Sequence, residues 1–418
     1  MSEPTAAGGT GEGTRAVRAG LPEPVKYEPT LPGPVFAAHF HLPGEPTGPY
    51  TYGRDENPTW TRLERAVGEL EAPGQDDVDT LVFASGMAAI SSVLFSQLRA
   101  GDTVVLPSDG YQALPLVRAQ LEAYGIEVRT APTGGDAQLA VLDGAKLLWI
   151  ESPSNPGLDV CDIRRLAEAA HARGALVAVD NTLATPLGQR PLELGADFSV
   201  ASGTKQLTGH GDVLLGYVTG RSGEPMTAVR RWRKIVGAIP GPMEAWLAHR
   251  SIATLQMRVD RQSATALAVA QALRGRPEVT GLRYPGLADD PSHQVASRQM
   301  RRHGCVVSFT LPTRARAERF LEELRLVDDA TSFGGVRSTP SGVGAGAGTL
   351  CRRASSGCRS APRTRTIWWR TYSARWRSRC GDRLTDAPRV SFSVRRTVEP
   401  PPSWLRRPAV LRAKNRAH

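Results

Sequence analysis

In "SVASGTKQLTGHGD", residues 199–212, a single lysine, Lys205, follows an apolar run and stands beside Ser202, Gly203 and Thr204, just ahead of a Gly-His-Gly turn. A lysine that forms a Schiff base needs small neighbours, hydroxyl donors for an anion and a fixed direction of approach; a solvated lysine needs none of these. Two further stretches carry matching chemistry. In "LVFASGMAAISSVLF" an apolar run turns through Ser85, Gly86 and Met87 into a helical pattern. The first amides of that helix are unpaired and form an anion cradle, for which phosphate is the common guest. "AVDNT" ends an apolar run with Asp180, where a carboxylate can stay ionised beside a pyridinium nitrogen. Tyr111 in "SDGY" offers a ring to lay on a planar ligand. Each residue also has a plainer reading: Ser85 as a helix cap, Asp180 as an Asx turn, Lys205 and His210 as loop residues, Tyr111 as packing. The plainer readings do not account for an anion cradle, a terminal carboxylate and a hydroxyl-framed lysine in that order along one chain.

Something must hold these groups together, and the hydrophobic pattern supplies it. The runs "DTLVFASG", "DTVVLPSDGY", "AKLLWIESPSNP", "GALVAVDNT" and "ADFSVASGTK" alternate with stretches of helical period such as "DIRRLAEAAHARG". Short apolar runs spaced by helices read as strands of a mostly parallel sheet buried on both faces, so the fold class is α/β. Ligands in such sheets sit beyond the carboxyl ends of the strands. Ser85-Gly86, Tyr111, Glu151 with Asn155, Asp180 and Ser202–Lys205 all fall there. Residues 215–280 read as largely helical, and "CVVSFTL" followed by "RARAERFLEEL" begins a smaller second domain. Helix amides for a phosphate, an acid for a ring nitrogen, an aromatic plate and a Schiff-base lysine together are what pyridoxal 5'-phosphate requires.

Composition narrows the alternatives. The 418 residues, 40% of them hydrophobic, suffice for two cores. No run approaches the roughly 18–20 apolar residues of a membrane span and the N-terminal stretch is polar, so a cytoplasmic protein without a membrane partner is expected. Cys161, Cys305, Cys351, Cys358 and Cys380 are odd in number and contain no C-x-x-C pair, which points to free thiols, with neither a disulfide framework nor a metal site. The net charge of +11 is local. Residues 349–418 carry 18 basic and 3 acidic groups, leaving the rest with 34 and 38. A nucleic-acid partner is therefore not expected for the body. A non-enzymatic reading survives only for the tail, as a basic appendage with Trp368, Trp369, Trp376 and Trp404 for base stacking.

The motifs "YTYGRDENPTWTRLERAVGELE", "FASGMAAI", "ESPSNP", "VDNT", "SGTKQLTGHGD", "GAIPGPMEAWLAHRSIATLQMR" and "SFGG" occur in this order. Over roughly residues 13–340 the chain resembles the Cys/Met-metabolism family of pyridoxal-phosphate enzymes. The resemblance implies the aspartate-aminotransferase type of fold. It divides the chain into an N-terminal arm (1–50), a cofactor-binding large domain (51–250), a small C-terminal domain (251–348) and an Arg/Trp-rich, disordered tail (349–418). It implies a homotetramer of tight dimers acting on a sulfur amino acid, with cleavage of L-cystathionine to cysteine, 2-oxobutyrate and ammonia as the leading activity. γ-Synthase, methionine γ-lyase and cystathionine β-lyase activities are alternatives that share the same cofactor residues. By the resemblance, Lys205 bonds the cofactor, Asp180 partners its ring nitrogen, and Tyr111 stacks on it and serves as an acid or base. Gly86, Met87, Ser202 and Thr204 bind its phosphate, and Tyr52 and Arg54 reach the phosphate of the neighbouring subunit. Asn155 and Ser332 stand near the substrate.

Two departures bear on activity. Thr331 stands where family members acting at Cγ often have a glutamate, and the R-L-S motif whose arginine clamps the substrate carboxylate is missing. Written in GC-rich codons and shifted by one nucleotide, residues 349–379 can be read as DAVPEGFIRLSERPEDPDDLVADVLGALE, a family-like ending. The tail therefore reads as a frameshift product, and the small domain as incomplete. Arg389 in "PRVSFSV" lies too far from Ser332 to replace the lost arginine.

Overall fold

The computed structural model describes residues 11–45, 47–327, 332–344 and 365–370. The short apolar runs become a seven-stranded sheet. Its strands are β1 (Val78–Phe83), β2 (Thr103–Pro107), β3 (Glu127–Ala131), β4 (Leu147–Glu151), β5 (Leu176–Asp180), β6 (Phe198–Ala201) and β7 (Gly216–Arg221). They lie in the spatial order β1-β7-β6-β5-β4-β2-β3. β3, β2, β4, β5 and β6 pair in parallel, while β7 runs antiparallel to both β6 and β1. β1 therefore points the same way as the parallel strands. The sequence pattern hides β7 at the head of a stretch that reads as helical.

The helices are α1 (Glu12–Arg18), α2 (Pro58–Glu71), α3 (Gly86–Gln97), α4 (Leu114–Ala123), α5 (Ile163–His171), α6 (Thr185–Gly188), α7 (Glu224–Val236), α8 (Pro242–Ile252), α9 (Leu255–Leu273), α10 (His293–Gln299) and α11 (Arg314–Glu322). Successive strand residues point to opposite faces, and both faces are covered. Val104, Leu106, Leu147, Trp149, Phe198 and Val200 pack with Ile90, Val93, Leu121 and Val229 of α3, α4 and α7. Val105, Leu148, Ile150, Val177 and Val179 face the other way, onto Ile163, Leu166 and Ala170 of α5. Beside them, Val82, Ala201 and Tyr217 meet Trp60, Leu63 and Ala245 of α2 and α8. Burial on both sides explains why these strands read as unbroken apolar runs. The 250/251 boundary expected from sequence falls inside α8. Among the described residues no helix is long and apolar enough to cross a membrane.

A second, antiparallel sheet has the order β10-β11-β9-β8, with β8 (Thr280–Arg283), β9 (Val306–Leu311), β10 (Ser341–Gly344) and β11 (Arg365–Arg370). Val307, Phe309 and Leu311 face α9 and α11, while Val306 turns towards Leu158, Leu183 and Phe333 below the first sheet. This corrects part of the sequence reading. Residues 365–370, expected within a disordered tail, pair along the whole of β9, whose apolar side chains are buried. The run Thr-Ile-Trp-Trp has high strand propensity, and an unpaired β9 edge would leave a row of backbone donors and acceptors unsatisfied. The rest of the 349–418 tail, like Thr331 and Arg389, lies outside the described residues.

Candidate active site

The parallel strands end on one edge of the first sheet, and the residues that follow them form a rim. After β6 the chain turns at once. The Lys205 amide donates to the Ser202 carbonyl (3.2 Å), and Thr208 and Gly209 donate back to Gly203 and Lys205 (3.1 and 2.9 Å). Gly209 adopts φ +71°, and a Cβ there would lie within the guanidinium of Arg258. Arg258 is buried on α9 and donates to the carbonyls of Gln206, Leu207 (3.0 Å) and Ser251 (2.9 Å). It pins the backbone just past Lys205 to the corner between α8 and α9. One turn further along α9, Gln262 donates to the carbonyls of Gly334 (3.2 Å) and Gly335 (3.1 Å). Gly334, at φ +85°, presses on the lysine turn so closely that a Cβ would fall 2.6 Å from the Gln206 nitrogen. These anchors bring together two residues 127 positions apart: Lys205 Nζ donates to Ser332 Oγ at 2.8 Å. The ammonium also lies 4.6 Å from the centroid of the Phe333 ring, a cation–π contact.

Asp180 closes β5 and is buried. Its Oδ1 accepts the Thr182 amide at 3.0 Å. The Thr182 hydroxyl also bonds the carboxylate and accepts the Ser202 amide at 2.8 Å, tying Asp180 to the lysine turn. Burial pushes the Asp180 carboxyl above its ordinary value, while the Thr182 bonds and the Lys205 charge pull it down. In the β4–β5 ladder Asp180 stands directly opposite Glu151. Glu151 is buried, and its two oxygens accept the amides of Tyr111 and Asn155, each at 2.7 Å. Burial, and then the Asp180 charge, hold its carboxyl well above the usual carboxylate range.

Ser85 caps α3 by accepting the Ala88 amide at 3.2 Å. The Gly86 and Met87 amides are then in the first helical turn, where a helix offers them no acceptor of its own. Gly86 is pressed against the lysine turn: a Cβ would meet Ser202 Cβ at 2.7 Å and Oγ at 2.9 Å. The anion cradle, Ser202 and Lys205 are thus one constellation. Thr204 differs from its expected role. Its hydroxyl donates to the Leu215 carbonyl (3.1 Å) and accepts the Leu215 amide (2.9 Å), so its one proton braces the approach to β7. Tyr52 and Arg54 precede α2. Tyr52 is exposed, and Arg54 lies over its ring at 5.3 Å and donates to the Lys234 carbonyl at the end of α7 (2.7 Å). The roles of Glu151, Thr182, Arg258, Gln262 and Phe333 were missed from sequence. Only Glu151, a lone acid ending a buried run, carried a signal there.

The family model described as Cys/Met metabolism PLP-dependent enzyme matches residues 33–341. The chain belongs to this family. A Streptomyces coelicolor protein provisionally named cystathionine gamma-lyase is 88% identical over 329 residues, covering 79% of this chain and 84% of that protein. The cystathionine gamma-synthase of Mycobacterium tuberculosis is 36% identical over 338 residues, covering 79% and 85%. Among solved structures, a cystathionine gamma synthase from Xanthomonas oryzae in complex with aminoacrylate and cysteine matches with a TM-score of 0.75 at 35% identity, covering 79% of this chain and 86% of that one. CalE6, a methionine gamma lyase from Micromonospora echinospora, matches with a TM-score of 0.73 at 37% identity, covering 79% and 89%.

The rim fits the cofactor of this PLP-dependent family. The close approach of Gly86 to Ser202 leaves no room for a side chain and sets the first turn of α3 beside the Ser202 hydroxyl. A buried carboxylate and a lysine bonded to a serine complete the set. Among the described residues no cluster of His, Cys, Asp and Glu is arranged to hold a metal ion, and Cys161 and Cys305 are not joined in a disulfide.

Proposed function

We propose that this member of the PLP-dependent family is a carbon–sulfur lyase that converts L-cystathionine and water to cysteine, 2-oxobutyrate and ammonia. The observation that carries the reading is the 2.8 Å bond from Lys205 Nζ to Ser332 Oγ, with Asp180 close enough for its charge to be felt at Lys205. High identity to the Streptomyces protein supports the choice of substrate. Pyridoxal phosphate, when bound, supplies a carbonyl that captures the substrate amine and a ring that draws electrons from Cα. Lys205 moves the Cα proton and then serves the Cβ proton, after which the γ-thiol leaves. Ser332 orients the lysine amine. Asp180 holds a proton on the ring nitrogen, the amides of Gly86 and Met87 with Ser202 bind the phosphate, and Tyr111 covers the ring face. Asn155 stands beside the substrate carboxylate.

The exposed Tyr52 and Arg54 support a site completed across a dimer, with tetramers built from such pairs. Absence of the R-L-S motif supports a lowered activity in this chain, since its carboxylate clamp is lost. The test is product identity. Purified chain is given L-cystathionine, O-succinylhomoserine or methionine, and borohydride-fixed cofactor is mapped by mass spectrometry. Release of cysteine and 2-oxobutyrate from cystathionine, with the adduct on Lys205, is expected. A γ-synthase or methionine lyase product pattern, or an adduct on another lysine, refutes it.

A further inference from the structure

Glu151 has no part in the proton transfers above, yet it is buried at the centre of the rim. Its side chain leaves the end of β4 and splits between two loops. One oxygen takes the amide of Tyr111, in the loop after β2, and the other takes the amide of Asn155, in the loop after β4, both at 2.7 Å. These are short bonds, and two backbone donors converging on one carboxyl group favour a side chain with an oxygen acceptor on both arms. A separate observation marks the same contact. Gly110 adjoins Tyr111, and a Cβ on it would stand 2.7 Å from the Glu151 oxygen that holds the Tyr111 amide. The same Cβ would also meet Leu114 at 2.7 Å and Pro107 at 2.9 Å, so the packing around this oxygen leaves no room for a side chain at 110.

The loops are otherwise secured elsewhere. Asp109 holds the first by accepting the Thr133 amide (2.9 Å) and hydroxyl (2.8 Å), and the second closes on itself through the Ser154 amide and the Asp159 carbonyl (2.8 Å). Folding therefore does not depend on Glu151, but the placing of Tyr111 and Asn155 does. We infer that Glu151 is a positioning residue, one carboxylate that fixes the spacing between the aromatic plate at Tyr111 and the polar group at Asn155. The inference rests on the reading of the rim as the pyridoxal-phosphate site.

Glu151→Gln tests it at almost unchanged volume. However its amide is turned, one backbone donor faces an NH2 group and loses its acceptor. In the full chain without added cofactor, the Tyr111 or Asn155 amide should exchange hydrogen at least about tenfold faster while the Thr133 amide, held by Asp109, does not change. With pyridoxal phosphate added, kcat on cystathionine should fall roughly 10- to 100-fold, since displacement of a catalytic group by about 1 Å costs of this order. Gly110→Ala, whose Cβ also presses on Leu114 and Pro107, should speed exchange at the Tyr111 amide but not at the Asn155 amide, and lower kcat. Unchanged exchange at both amides in Glu151→Gln overturns the proposal, as does faster exchange with kcat and KM within about twofold of the parent. The exchange arm needs no substrate, so a parent chain without lyase activity refutes the proposed function while the anchor is still judged by exchange and by the cofactor's absorption band.

Discussion

Gly86→Ala tests the contact on which the phosphate cradle depends. The new Cβ would stand 2.7 Å from Ser202 Cβ, 2.9 Å from its Oγ and 3.0 Å from its Cα. Carbon atoms in ordinary contact are about 3.5–4.0 Å apart, so the start of α3 and the lysine turn must separate by roughly 1 Å. Ser202 is not free to yield. Its amide is held by Thr182, which is bonded to Asp180, and its carbonyl receives the Lys205 amide. Overpacking of this kind costs about 1–3 kcal/mol, which is roughly 5- to 150-fold in an equilibrium constant. The strain falls on the surface that faces the cofactor, so cofactor affinity should drop more than stability. The assay is a fluorescence titration of the apoprotein with pyridoxal phosphate, paired with its melting temperature. A dissociation constant raised by roughly 5- to 150-fold is expected. A value within about twofold of the parent, with unchanged melting, would refute the argument that the two elements meet at the cofactor.

Three other outcomes follow from the same structure. Glu71 is buried beneath Tyr217, whose hydroxyl donates to it at 2.6 Å, and burial raises its carboxyl to about 7. Folding therefore favours its neutral form, a contribution complete below about pH 4.5 and lost as pH rises through about 7, worth about 3 kcal/mol in all. Glu71→Gln should flatten the fall of Tm across that window, and an unaltered slope would count against it. Arg54→Ala and Lys205→Ala should each be inactive alone, but if sites are shared between subunits each mixed dimer keeps one intact site of two, so a 1:1 mixture with exchanged subunits should recover about a quarter of the parent activity; mixed dimers without recovery refute sharing. Replacing the chain from residue 349 with the shifted reading should raise kcat/KM on cystathionine by roughly 30- to several-thousand-fold, the worth of a desolvated bidentate clamp. Equal kcat/KM would show that the present tail is a working part.

Much of the first sheet was legible because its strands are buried on both faces and announce themselves as apolar runs with polar residues at their ends. Lys205, Asp180 and Gly86 could be found for the same reason: each stands where a run stops. β7 was not legible, since "GYVTGR" is brief and stands at the head of a long helical pattern. Nor were Arg258 and Gln262, which sit on α9 as ordinary polar residues until the loops they hold are folded against them. Thr204 shows the opposite failure. Its spacing from Lys205 suited a phosphate, but the nearby Leu215 backbone offered its hydroxyl both an acceptor and a donor. β11 was missed because charge and lack of period dominate the composition around it, whereas strand pairing needs only backbone and tolerant side chains.

That last strand lies beyond the stretch that matches the family, yet it takes a place between β9 and β10. A ladder asks its neighbour for amides and carbonyls in step, and a foreign hexapeptide can answer as well as an inherited one. A substrate carboxylate asks for one guanidinium at one place, which no substitute of convenience provides. If the reading frame has shifted before this strand, two kinds of inheritance part company: the shape can be refilled by chance, and the chemistry cannot.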